Sequence, residues 1–336
     1  MNIRAFSASD ARSHSPAMPE LPARILQVCY FIVLGVFVII ALFRRKGRRR
    51  LFPAPDFPVP AEETPVSPFD TPPGADETNP YAIGRAAAKP PALPATPGVS
   101  IEAYRPLDLL WMGALFLLFF QLGMSQATSA DPTDYSQISV KMLIISAGFQ
   151  FFLAGITVAM VAWRIRPVAW LGLKWSGWPH ALWIGPSVVA GMWLTLVTLQ
   201  AGGYMKWMEA LGAETVQDTV KFFQHSQDKL ALGAMAVAAV IVAPLCEEIV
   251  FRGYLYPAAK RFTGPATAMF CSALLFSLAH GSLAMLLPLF LLGFAFAWIY
   301  ERTGSLWAPI FAHFCVNGST VLIQFALRYF DLPVDL

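Results

Sequence analysis

Apolar residues in this chain fall in long, nearly unbroken runs, without the alternation that marks a half-buried strand. Runs near or above the roughly 20 residues needed to cross a hydrocarbon core recur at 25–43, 108–124, 141–163, 181–203, 230–259, 265–281, 283–300 and 305–328. Each predicts a membrane-spanning helix, so the expected fold is an all-α polytopic membrane bundle of about eight transmembrane helices.

The polar stretches between the runs set the orientation. The residues before Ile25 are nearly neutral, whereas RRKGRRR follows Phe43. This is the reverse of a secretory leader, which carries its positive charge ahead of the apolar core. Basic residues beside spans stay on the cytoplasmic side, which puts the N-terminus outside. With eight alternating spans, sixteen of the twenty-four Lys and Arg residues fall on the cytoplasmic side. Residues 51–106 are dense in proline, as in PAPDFPVPAEETPVSPFDTPPG, and are too poor in apolar residues to close a core. They read as a disordered or partly polyproline cytoplasmic linker. The chain therefore divides into an N-terminal anchor with its basic flank (1–50), the linker (51–106), the first helices of the bundle (107–227), its last helices (228–325) and a tail (326–336).

Composition agrees with a bilayer as the solvent. Hydrophobic residues make up 56% and charged residues 13%, against about a quarter charged in soluble domains. The expected location is a membrane, crossed several times, and nothing points to nucleic acid. The four cysteines, Cys29, Cys246, Cys271 and Cys315, all lie in predicted spans without CxxC or Cys/His spacing. They read as small core hydrophobes and not as disulfides, a structural zinc site or a thiol nucleophile.

Against this background the stretch CEEIVFRGYLYP, Cys246 to Pro257, stands out. A charge at mid-bilayer costs about 2.5–3.5 kcal/mol on insertion scales, so Glu247, Glu248 and Arg252 unpaired would cost roughly 7–10 kcal/mol. Glu248 and Arg252 are spaced i, i+4, on one helix face and within ion-pair reach. Glu247 lies about 100° round the helix and remains as an unneutralised carboxylate, by default a functional-site candidate. Two histidines also fall in spans: His280 in FSLAHGSL, and His313 in PIFAHFCVNGS, four residues before Asn317. At about 1.5 Å per residue, Glu247, His280, His313 and Asn317 lie about 22, 24, 14 and 20 Å from the inner interface. Four polar residues from three helices thus share one band and predict a buried polar cavity.

The residue types fit amide hydrolysis. Neither GxSxG nor HExxH occurs, so the common serine-hydrolase and zinc-protease signatures are missing. A glutamate and a histidine can deprotonate a water. A second histidine with an asparagine amide can hydrogen-bond the oxyanion of a tetrahedral intermediate.

In this order, EExxxR (Glu247, Glu248, Arg252), FxxxH (Phe276, His280) and HxxxN (His313, Asn317) resemble the motifs of the CPBP family of intramembrane proteases. That family includes the CAAX prenyl proteases and the bacterial CAAX protease self-immunity proteins. RGYLYP and GFAFAWIYERTGSLWAPIFAH resemble it too, and the likeness covers about residues 228–325. It implies that Glu247 and His280 activate water and that His313 and Asn317 form the oxyanion hole. Glu248 and Arg252 are expected as structural support and Phe276 as cavity wall. Such proteins have often been labelled metalloproteases, and a glutamate with two histidines can hold zinc. A metal-free site is the expectation, because His313 is spaced with an amide, a poor zinc ligand. The expected substrate is a membrane-associated protein or peptide, and prenylation is implied only by the eukaryotic branch. The competing readings are a transporter whose ionisable residues relay ions and a catalytically silent scaffold.

Overall fold

The computed structural model describes residues 20–51, 98–102, 104–128, 138–164, 166–173, 175 and 177–330, without the side chains of 46–51 and 169. Residues 52–97 of the expected linker and 331–336 of the tail lie outside them. The described residues are helical with no strand, as an apolar solvent demands: a helix pairs its backbone groups within one segment.

Eight helices build the bundle: α1 (Glu20–Leu51), α2 (Asp108–Thr128), α3 (Val140–Ala162), α4 (Ala181–Ala201), α5 (Lys229–Thr263), α6 (Pro265–Leu278), α7 (Leu286–Thr303) and α8 (Trp307–Tyr329). Short helices at Tyr204–Ala210 and Asp218–His225 join α4 to α5. Seven of the described helices are long and apolar enough to cross a membrane. The exception is α6, where a span was expected over 265–281. Its 14 residues reach only about 21 Å, short of a hydrocarbon core of about 30 Å. It ends at Leu278, and the chain turns at Gly281 (φ +63°), where a Cβ would run into Gln126 and the Gly123 carbonyl. The residues after α6 are thereby held against α2 within the bundle.

Packing is concentrated around α6, which lies against α7, α1 and the last turns of α5, while α8 pairs with α4 and α3 crosses α5. Arg252 reaches α7 by donating from Nη2 to the Gly293 carbonyl at 3.0 Å. A Cβ at Gly293 would sit 3.0 Å from the Phe276 ring and 3.2 Å from Ala273 Cα, so glycine lets α6 and α7 approach.

The linker reading needs one correction at its C-terminal end. Val99 and Tyr104 are buried. Val99 donates its N–H to Glu301 and accepts from Lys260 Nζ, while the Tyr104 hydroxyl donates to the Gly253 carbonyl at 3.0 Å. An apolar residue and an aromatic with good partners are enough to fasten this segment.

Candidate active site

The site is built on α5, whose backbone departs from a regular helix. It contains two π turns, Ala238–Val242 and Ile249–Leu255, each followed by an α-helical stretch with proline near its start, Pro244 and Pro257. Such turns recur at functional sites. In π register Ala243 N–H donates to the Ala238 carbonyl. The next donor in that register would be residue 244, but proline has no N–H. The Ala239 carbonyl therefore lacks its helical donor, and Asn317 Nδ2 from α8 donates to it at 2.8 Å.

Between the two prolines lie the charged residues. Arg252 Nη1 donates to Glu248 Oε1 at 2.7 Å, and both side chains are fully buried. The guanidinium sits over Phe276, 4.4 Å from its centroid, and 5.1 Å from that of Phe296, where ring quadrupoles favour a desolvated cation. The expected structural pair is thus present, but it has a third member. His313 Nδ1 lies 3.0 Å from the same Glu248 Oε1, and its ring stacks on Phe296 at 4.8 Å. A carboxylate oxygen can only accept, so Nδ1 carries the proton and Nε2 is turned the other way. Nε2 is 4.0 Å from Glu247 Oε2, too long for a hydrogen bond. Two atoms at that separation can, however, both bond one further oxygen at about 2.8 Å from each.

Glu247 faces a cavity of about 310 Å³ bounded by α2, α3, α5 and the end of α6. Phe119, Gln126, Gln150, Phe251 and His280 line it with Glu247. Glu247 Oε2 is buried without a hydrogen bond. His280 holds its Nδ1 2.8 Å from the Phe276 carbonyl. A carbonyl also only accepts, so the Nδ1 proton is directed there, leaving Nε2 as an acceptor. Phe276 packs edge-on against the His280 ring at 5.0 Å.

The structure therefore brings Glu247 and His280 to one cavity and places His313 beside Glu247. Asn317 is a partner of the α5 backbone, eight residues, or about 12 Å, before Glu247 along the helix. Gln150 was not singled out by its sequence context, yet it lines the cavity and its Oε1 is buried without a partner. The available signal was a lone amide in the apolar run VKMLIISAGFQFFLAG. Among the described residues no three His, Cys, Asp or Glu are grouped to hold a metal.

Residues 229–319 match the family described as type II CAAX prenyl endopeptidase Rce1-like. A Bacillus subtilis protein named "Putative membrane peptidase YdiL" is 30% identical over 212 residues, covering 62% of this chain and 80% of that protein. The "UPF0177 protein YxdF" of Lactococcus lactis is 32% identical over 78 residues, covering 23% of this chain and 42% of that one. No solved structure matches the chain. With the three motifs in order on a helical membrane bundle and this extent of likeness, the chain belongs to the Rce1-like, CPBP family of membrane proteases.

Proposed function

We propose that the chain is an intramembrane endopeptidase that hydrolyses a peptide bond of a membrane-associated protein or peptide without a resident metal. The observation that carries this reading is Glu247: its Oε2 is buried and unbonded at a cavity shared with His280. Glu247, aided by His280 Nε2, takes a proton from water as the water oxygen attacks the scissile carbonyl carbon. The proton returns to the leaving amine when the C–N bond breaks.

His313 Nε2 stabilises the oxyanion, and Asn317, the expected second donor, acts instead by pinning the same face of α8 to the Ala239 carbonyl. Donation from His313 Nε2 while Nδ1–H is held by Glu248 requires an imidazolium. Glu248 is accordingly a positioning residue for His313 as well as the partner of Arg252. The protein is an integral multi-pass membrane protein. We place it in the bacterial plasma membrane with its N-terminus outside and the end bearing Arg44, Arg45 and Arg261 in the cytoplasm.

The test is cleavage of a membrane-anchored peptide by purified protein in detergent, comparing wild type with Glu247→Gln and His280→Ala, with and without a chelator. Loss in both variants and no effect of the chelator is expected. Full activity in both variants overturns the site, and loss with the chelator overturns the metal-free reading. Ion or solute flux in proteoliposomes abolished by Glu247→Gln, with no cleavage, favours a transporter.

A further inference from the structure

A second cavity lies away from the site just described, between α1, α2, α5 and α6. Its volume is about 910 Å³, and its character changes along its length. At one end stand Arg44 and Arg45 from the last turns of α1 and Arg261 from the last turn of α5. All three are exposed and form no ion pair among the described residues. No carboxylate is among the described residues that line the cavity. Arg44 reaches across the start of α6, where a Cβ on Gly264 would collide with its guanidinium. Away from this end the walls are apolar, with Val33, Phe37, Met112, Phe116 and Leu275. From Arg45 to Val33 the groove follows α1 for about 18 Å, close to one leaflet's share, about 15 Å, of a 30 Å hydrocarbon core.

Three arginines over an apolar channel one leaflet deep match the two parts of a phospholipid. Guanidinium groups bind phosphate oxygens in a bidentate manner, and basic pockets between transmembrane helices hold anionic headgroups. We propose that this groove is a binding site for an anionic phospholipid, with its headgroup phosphate on Arg44, Arg45 and Arg261 and an acyl chain between α1 and α2. The lipid wedges α1, which lies outside the stretch of best family likeness, onto the protease core. The wall between this groove and the proteolytic cavity is aromatic: Phe119 stacks on Phe251 at 4.8 Å, and Phe251 meets Phe276 edge-on at 5.2 Å. The two sites are therefore separate, and lipid binding is tested without reference to cleavage.

The experiment is native mass spectrometry of the full chain, released from detergent after titration with phosphatidylglycerol or phosphatidylcholine. Wild type is expected to retain one phosphatidylglycerol in preference to phosphatidylcholine. Each basic side chain near a headgroup contributes about fivefold, so R44Q/R45Q/R261Q should weaken retention about 100-fold and R44K/R45K/R261K should restore much of it. Gly113 lines the groove, and a Cβ there meets nothing within 4 Å. Gly113→Phe should fill the channel and exclude the lipid with all three arginines intact. Equal retention of both lipids, or retention unchanged in the glutamine and phenylalanine variants, overturns the proposal. Displacement by glycerol phosphate as effective as by the whole lipid shows a free-phosphate site and overturns it as well. So does a photo-crosslinking residue in place of Leu109 that captures residues 52–97 or a second copy of the chain in preference to lipid.

Discussion

Glu301 and Glu247 are both carboxylates on helices of one bundle, yet the structure treats them in opposite ways. Glu301 Oε1 accepts from Lys260 Nζ at 2.5 Å, and its Oε2 accepts from the Tyr256 hydroxyl at 2.7 Å and the Val99 N–H at 3.2 Å. Every oxygen has a partner, and the result is a clasp that ties residues 98–104 to α5 and α7. Glu247 Oε2 is buried with none, and next to it Glu248 Oε2 and Arg252 Nε are also without partners. A buried polar atom left unbonded costs about 1–3 kcal/mol, so three of them in one cluster oppose folding. Unbonded capacity of this kind is what a reaction can use. The clasp serves stability, and under the proposed function the α5 cluster gives up stability for chemistry.

The largest effect separates the two carboxylates. Glu247→Gln is expected to lower cleavage by about 10²–10⁴-fold while leaving the melting temperature unchanged or raised. Glu301→Gln should do the reverse, leaving cleavage near wild type and lowering thermal stability. If Glu301→Gln removes cleavage as completely as Glu247→Gln, the contrast between clasp and catalyst is lost.

Next comes the pair that the two functions share. Arg252→Met should destabilise by about 3–5 kcal/mol, because it takes the guanidinium from a fully buried carboxylate and leaves it only the His313 Nδ1–H. The double variant E248Q/R252M removes both charges and should recover most of that loss, as measured by denaturation in mixed micelles. It should not recover cleavage, since His313 then has no carboxylate to orient it. His313→Gln keeps an N–H donor and should retain measurable cleavage where His313→Ala has none. Equal loss in both makes His313 a base and not a donor.

Asn317→Ala should cost about 1–3 kcal/mol by stripping the Ala239 carbonyl of its donor. Its cleavage defect should be smaller than that of Glu247→Gln, because Asn317 is bonded to α5 away from the cavity. The smallest effect belongs to Lys260→Met, expected at about 1 kcal/mol for a partly wetted pair. It should be visible first as faster hydrogen exchange over residues 98–104, with cleavage unchanged.

How far the site could be read in advance varied with sequence distance. The Glu248–Arg252 pair is local, four residues along one helix, and a spacing rule is enough to find it. The use of Glu248 Oε1 by His313 spans 65 residues, and no spacing within either helix implies it. Asn317 shows the same limit. Its spacing from His313 correctly suggested that both face one side of α8, but what waits there is a carbonyl orphaned by Pro244, a consequence of the π turn. Gln150 was visible as an isolated amide in an apolar run, but its place on the cavity wall depends on α3 crossing α5. The eight apolar runs were legible because hydrocarbon thickness imposes a length on them. The shortness of α6 was less legible, because the run continues through residues 279–281 while the helix does not.

Solvent and local geometry were enough to decide, from the chain alone, that it is a helical membrane protein and which residues are too costly to be there by accident. Burial in lipid is expensive residue by residue, so every polar exception declares itself without a structure. Which exceptions touch was decided only by packing. The partners of Glu247, Glu248 and Asn317 lie on other helices, and α6 and α7 meet closely enough at Gly293 for Arg252 to bridge them. Contacts of that kind depend on how rigid helices cross, and a list of residue positions does not contain those angles.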